Sequence, residues 1–207
     1  MMNDPYLYKN TDILKNKLHI RSAETLNHAE ADYTSMRLRE LIEIPLNGDY
    51  DSAHLKKMHK YIFQDIYEWA GKYRTINIEK EEPVLGGLSI EYADYSSIPY
   101  DVDQCLELMR ARDWDTMHQD DIVKQFCFDM ASLWKIHPFR EGNTRTVITF
   151  CCQFLDSRMI RINRKLFEQN SLYMRTALVA YNAVFHDIGD RSQKQHLERI
   201  VRDALSE

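Results

Sequence analysis

Residues 120–136 read "DDIVKQFCFDMASLWKI", residues 137–143 "HPFREGN" and residues 144–155 "TRTVITFCCQFL". These three pieces decide the fold. Ile122, Phe126, Met130 and Leu133 recur at the three- and four-residue spacing of one helix face, behind an acidic start that complements a helix N-terminus. Pro138 and Gly142 break the helical phase, so 137–143 is a loop, and a second apolar helix follows to about Leu155. The expectation is an all-α body. A connector between two core helices needs no histidine, carboxylate, asparagine and arginine in nine residues, so the loop is also the first candidate for a site.

Working outward, residues 11–44 carry a long helical pattern, clearest in "DYTSMRLREL", with Asp32 or Thr34 as caps. "LNGDYD" at 46–51 is a turn. The next segment, "SAHLKKMHKYIFQDIYEWAG", spaces Leu55, Met58, Ile62, Ile66 and Trp69 as an amphipathic helix ended by Gly71. In residues 73–92 the pattern changes: Ile76 and Ile78 alternate with polar residues, Pro83 and Gly86-Gly87 make a turn, and Leu88 and Ile90 alternate again. That predicts a short β-hairpin or an ordered flap, the only strand-like piece of the chain, which a helical body must support because a lone hairpin is marginal in water. Helical patterns resume at "SSIPYDVDQCLELMRAR", and two more fill 164–186 and 190–205. The organisation expected is one domain over 1–207: an N-terminal helical part at 1–50, a core at 51–187 and a C-terminal helix at 188–207.

Hydrophobic residues make up 44% of the chain and charged residues 29%, enough apolar material for a sizeable core. Six glycines and five prolines are too few for a turn-rich all-β fold. A net charge of −5 gives no phosphate-tracking surface, so no nucleic-acid partner is expected. The N-terminal "MMNDPYLYKN" does not read as a signal peptide, and no apolar run reaches membrane-spanning length. The expected setting is cytoplasmic, with no membrane partner, unless an export system delivers the protein elsewhere. Cys105, Cys127, Cys151 and Cys152 lack CxxC spacing and read as reduced, small apolar residues. Trp69, Trp134, Phe126 and Phe128 are assigned to the core. His54, His59, His118 and His196 form no zinc pattern and are taken as surface or packing residues, and "EKEE" at 79–82 as a solvated turn.

A glycine-containing loop that opens a helix N-terminus presents free amides and a positive dipole end to an anion. Arg145 adds a forked cation suited to phosphate oxygens, at a position the dipole alone disfavours. Glu141 is a hard oxygen ligand suited to Mg²⁺, which typically shares its coordination between carboxylates and substrate phosphates. His137 is a general base near neutral pH. Together these groups suit transfer of a phosphorus-centred group from a nucleotide to a hydroxyl.

The chain resembles the Fic (filamentation induced by cAMP) family, whose motif is H-x-F-x-[D/E]-G-N-G-R-x-x-R; "HPFREGNTR", "DPYLY", "LKKMHKYIFQDIYEWAGKYRT" and the flap after it carry the likeness. The resemblance implies AMPylation: AMP passes from ATP to a Ser, Thr or Tyr hydroxyl of a target protein, with Mg²⁺ as cofactor. It implies that His137 deprotonates the hydroxyl, Phe139 anchors the loop in the core and Glu141 holds the metal. Gly142 and Asn143 would form part of an anion hole, with Thr144 alongside, and Arg145 would neutralise the β-phosphate. Ile76, Asn77 and Ile78 of the flap would dock an extended target segment by strand addition. Two positions depart from the motif: Thr144 stands for its second glycine and Ile148 for its last arginine, the family's γ-phosphate contact. The resemblance also implies regulation, since many members of this family are held off by a helix bearing [S/T]-x-x-x-E-[G/N], within the chain or on a small partner protein. This chain has only Thr75–Glu79, followed by Lys80, so a small inhibitory, antitoxin-like protein in trans is the expected regulator. Two alternatives stand beside AMP transfer: a kinase-like transfer of the Doc type, and a catalytically weak protein-binding module.

Overall fold

The computed structural model describes residues 4–206. Among them are eight α-helices: α1 (Ala23–Glu43), α2 (Ser52–Phe63), α3 (Ile98–Ala111), α4 (Gln119–Ile136), α5 (Asn143–Ser157), α6 (Arg164–Gln169), α7 (Ser171–Tyr181) and α8 (Gln195–Ser206). The body is helical, as the periodicity predicts. Its centre is the α4–α5 pair, with α2 against α5, α3 and α8 against α4, and α1 against α2. Phe126, Met130, Leu133 and Trp134 of α4 are buried, as are Val147, Phe150, Cys151 and Phe154 of α5. Each such large side chain stabilises the fold by roughly 1.5–3 kcal/mol through its removal from water. The loop 137–143 therefore hangs between the two most deeply packed elements. All four cysteines are free thiols. Phe128, assigned to the core by composition, instead lies 49% exposed on the outer side of α4. No helix among the described residues is long and apolar enough to cross a membrane.

Several boundaries differ from the pattern-based expectation. α1 starts at Ala23, where the Ser22 side chain accepts the Thr25 amide; neither Asp32 nor Thr34 caps it. Before it, the Asn16 side chain bonds the carbonyls of Leu14 and Ile20 and the amide of Ile20, a local alternative that competes with helix. α2 stops at Phe63 rather than near Gly71, and Lys17 takes the Gln64 and Ile66 carbonyls that a longer helix would have used. The pattern at 164–186 is cut by Asn170 and ends at Tyr181, and the last helix begins at Gln195.

Among the described residues one short antiparallel hairpin is present, but it lies outside the flap. It pairs β1 (Val184–Phe185) with β2 (Gly189–Asp190), with Gly189 at φ +80°. Residues 73–92 are extended chain around a single 3₁₀ turn, Pro83–Leu85, and two backbone bonds close the tip, from Glu82 N–H to the Leu88 carbonyl and from Gly87 N–H to the Glu82 carbonyl. The physical reason is that side chains anchor this segment. Arg74 holds the carbonyls of Ile76 and Ala93, and Glu82 is buried in an ion pair with Arg175.

Candidate active site

His137 is the C-cap of α4 and sits in left-handed backbone at φ +52°, an uncommon conformation for a residue with a side chain. Arg74 holds it there. Its guanidinium donates to the His137 carbonyl at 2.8 Å, and its backbone amide donates to the Pro138 carbonyl at 2.8 Å. The imidazole is buried, tilted against Tyr92 at 4.1 Å between ring centroids and edge-on to Trp134. Nδ1 lies 3.3 Å from the Trp134 carbonyl. A proton on Nδ1 satisfies that contact and leaves Nε2 a bare acceptor, which has no partner among the described residues. Burial first, and then Lys80, push this imidazole well below its ordinary pKa, so it rests neutral.

The loop after it is fixed by its own side chains. Asn143 accepts the Phe139 amide at 2.9 Å and donates to the Phe139 carbonyl at 2.7 Å. Its side chain is thereby engaged by the loop's own backbone, which leaves its backbone N–H as the group open to the cavity. Phe139 is fully buried and stacks on His59, with centroids 3.8 Å apart. His59 Nδ1 accepts the Gly71 amide at 2.8 Å, which puts the ring proton on Nε2, 3.0 Å from the Glu141 carbonyl. Burial lowers the His59 pKa to about 3, consistent with that neutral form. Gly142, the N-cap of α5, has φ +81°, and a Cβ there would collide with the Phe63 ring.

The first amides of α5, those of Asn143, Thr144 and Arg145, have no acceptor among the described residues. They border a cavity of about 380 Å³ that is also lined by Lys80, His137, Glu141, Ser171 and Arg175. Arg145 reaches this cavity while tied to α1: it pairs with Glu30, donates to Thr34 Oγ1 at 2.9 Å and lies over the Phe63 ring. Tyr67 donates to the same Glu30 carboxylate. Glu141 Oε2 is 3.0 Å from Lys80 Nζ, and Oε1 accepts the Gly142 amide at 3.0 Å. Burial raises the Glu141 pKa, but Lys80, the Gly142 amide and Arg145 outweigh it and bring the carboxyl to about 2. It is an ionised hard oxygen donor. No cluster of three or more His, Cys, Asp or Glu side chains occurs among the described residues, so a divalent ion here would rest on Glu141, water and the ligand's phosphates, as Mg²⁺ does.

The two departures from the motif have clear places. Thr144 is helical, and its Oγ1 accepts the indole N–H of buried Trp134 at 2.9 Å, tying α5 to α4. Ile148 faces an adjoining groove of about 400 Å³ with Leu38, Ile42 and Phe167. On the other side, Ile76, Asn77, Ile78 and Lys80 line a smaller cavity with Asp4 and Arg140, which are themselves ion-paired. The N–H groups of Ile76 to Glu79 donate to nothing among the described residues.

Sequence reading brought His137, Glu141, Gly142, Asn143, Thr144 and Arg145 to one cavity, with Phe139 beneath and the flap alongside. It missed Glu30, His59, Arg74, Lys80, Glu82 and Arg175. "EKEE" is not a solvated turn, since Lys80 grips Glu141 and Glu82 is buried. Arg74 and His59 sit within otherwise polar or amphipathic runs, and nothing in their spacing separates them from surface residues.

The family model described as Fic/DOC family matches residues 49–155. The chain is 33% identical over 152 residues to protein adenylyltransferase VbhT of Bartonella schoenbuchensis, covering 73% of this chain and 30% of that protein. It is 33% identical over 151 residues to probable protein adenylyltransferase y4lH of Sinorhizobium fredii, covering 72% of this chain and 73% of that one. Thus it spans under a third of the first relative and about three quarters of the second. Among solved structures, BepC of Bartonella tribocorum with bound AMPPNP superposes with a TM-score of 0.79 at 20% identity, over 98% of this chain and 97% of that one.

Proposed function

The chain belongs to the Fic/DOC family, and from this membership we propose that it is a protein adenylyltransferase, passing AMP from ATP to a Ser, Thr or Tyr hydroxyl of a target protein. The observation that carries the reading is the bare, buried Nε2 of His137 on the same cavity as the free amides that open α5. A neutral imidazole there accepts the hydroxyl proton as the oxygen attacks the α-phosphorus. The P–O bond to the β-phosphate then breaks, and pyrophosphate leaves. The amides of Asn143, Thr144 and Arg145 stabilise charge on the phosphates, and the Arg145 guanidinium, pre-positioned by Glu30 and Thr34, adds a fixed cation. Mg²⁺, when held by Glu141, supplies charge neutralisation at the phosphates. Ile76, Asn77 and Ile78 dock an extended target segment through their unused backbone donors. The relatives named adenylyltransferases support AMP transfer over reversed, kinase-like phosphate transfer. A small inhibitory protein in trans is part of this reading, and the groove beside Arg145 and Ile148 offers it an apolar seat. The enzyme works in the cytoplasm or after delivery from it.

The test is intact mass of the protein and of a mixed lysate after incubation with ATP and Mg²⁺, beside His137→Ala. One AMP added to a protein, and lost by about a hundredfold or more in the variant, is expected. A single phosphate added instead, or no adduct at all, overturns the proposal.

A further inference from the structure

The cavity is an anion cradle that the chain fills with its own carboxylate. Lys80 Nζ and the Gly142 amide both point at Glu141, one to each oxygen. The amides of Asn143, Thr144 and Arg145 continue the same row without acceptors, and His137 Nε2, on a side chain 1% exposed, faces the cavity without a partner. Three cationic side chains border this space, and their counter-ions differ. Arg145 is paired with Glu30 on α1, and Arg175 with Glu82. Neither of those carboxylates belongs to the loop. Lys80 alone is paired with the carboxylate that a divalent ion would claim. Once Glu141 turns to a metal, the ammonium of Lys80 has lost its counter-ion at a mostly buried position, 19% exposed, and must find another.

We infer that Lys80 is a polyphosphate ligand of this site: a phosphate oxygen displaces the Glu141 carboxylate from Lys80 and the Gly142 amide, and Glu141 is released to the metal. The inference rests on the nucleotide-transfer reading and deepens it. Lys80 belongs to the flap and lines this cavity, whereas Ile148 of α5 lines only the adjoining groove, so Lys80 adds a cation to a site whose last motif arginine is missing. The exchange conserves charge, since one anion replaces another beside the same lysine. It also places one flap residue on both the target-facing and the nucleotide-facing cavities.

The test is calorimetric titration of the full chain with ATP and with AMP, in EDTA and in Mg²⁺, for wild type, Lys80→Ala, Lys80→Arg, Glu141→Ala and the Lys80→Ala/Glu141→Ala double variant. Lys80→Ala should weaken ATP binding by about ten- to a hundredfold, with Lys80→Arg retaining most of it. In EDTA, Glu141→Ala should tighten ATP binding several-fold, because the competing carboxylate is gone, and the double variant should lose most of that gain, the Gly142 amide keeping the rest. A Lys80→Ala variant that binds ATP as wild type does, or a Glu141→Ala gain that survives in full without Lys80, overturns the inference while leaving nucleotide transfer in place. Wild type that binds no ATP overturns both.

Discussion

In the loop 137–143 the backbone is held by side chains from other elements, whereas the flap 73–92, across the same cavity, is held at its feet, at two charged side chains and by a few bonds across its own tip. Asn143 bonds both polar groups of Phe139, His59 braces the Glu141 carbonyl, and Arg74 braces that of His137. The flap has Arg74 at its base, Lys80 on Glu141 and Glu82 on Arg175, and beyond these Val84 and Leu88 stand about half exposed at the tip. Under the proposed function, the difference separates two tasks. Chemistry on phosphorus requires acceptor and donors fixed to a fraction of an ångström, and preorganisation is cheapest where side chains saturate the backbone. Recognition of an extended partner requires backbone groups left open.

Gly142→Ala strikes the fixed side hardest. Left-handed backbone and collision with Phe63 should together cost about 2–5 kcal/mol, read as a lowered denaturation midpoint. A wild-type midpoint would show that the loop is softer than its packing implies. Thr144→Gly restores the family's residue, yet it should destabilise by about 2 kcal/mol, because Trp134 loses the acceptor of its buried N–H and a glycine enters the helix. An unchanged or raised midpoint would mean that water replaces Thr144 at no penalty. The smallest effect on stability belongs to the flap: Val84→Ser with Leu88→Ser should move the midpoint by no more than about 0.5 kcal/mol. The same pair should raise the KM for a protein target with little change in ATP binding. Equal KM values would remove the tip from target docking and blur the contrast.

How much was legible in the sequence follows the same division. Ile122, Phe126, Met130 and Leu133 announce α4 because a buried helix face repeats in one dimension, and "HPFREGN" announces the site because its chemistry is contiguous. Glu30, His59, Arg74 and Lys80 were hidden because each acts on a residue far along the chain, and each sits in a run where a surface charge would look the same. The flap's alternation announces a β-hairpin, and the segment is extended without forming one: strand pairing depends on backbone groups, and Arg74 takes the Ile76 and Ala93 carbonyls. Asn16 likewise delays the start of a helical pattern through bonds that no periodicity registers.

The grip of Arg145 on Glu30 and Thr34 has a consequence for modularity. The span that carries the family's recognisable pattern, 49–155, contains the arginine but not the helix that aims it. A graft of that span onto another scaffold would transplant every letter of the motif and leave its arginine to swing. The smallest transferable unit of this fold is set by who holds whom, and it begins no later than α1.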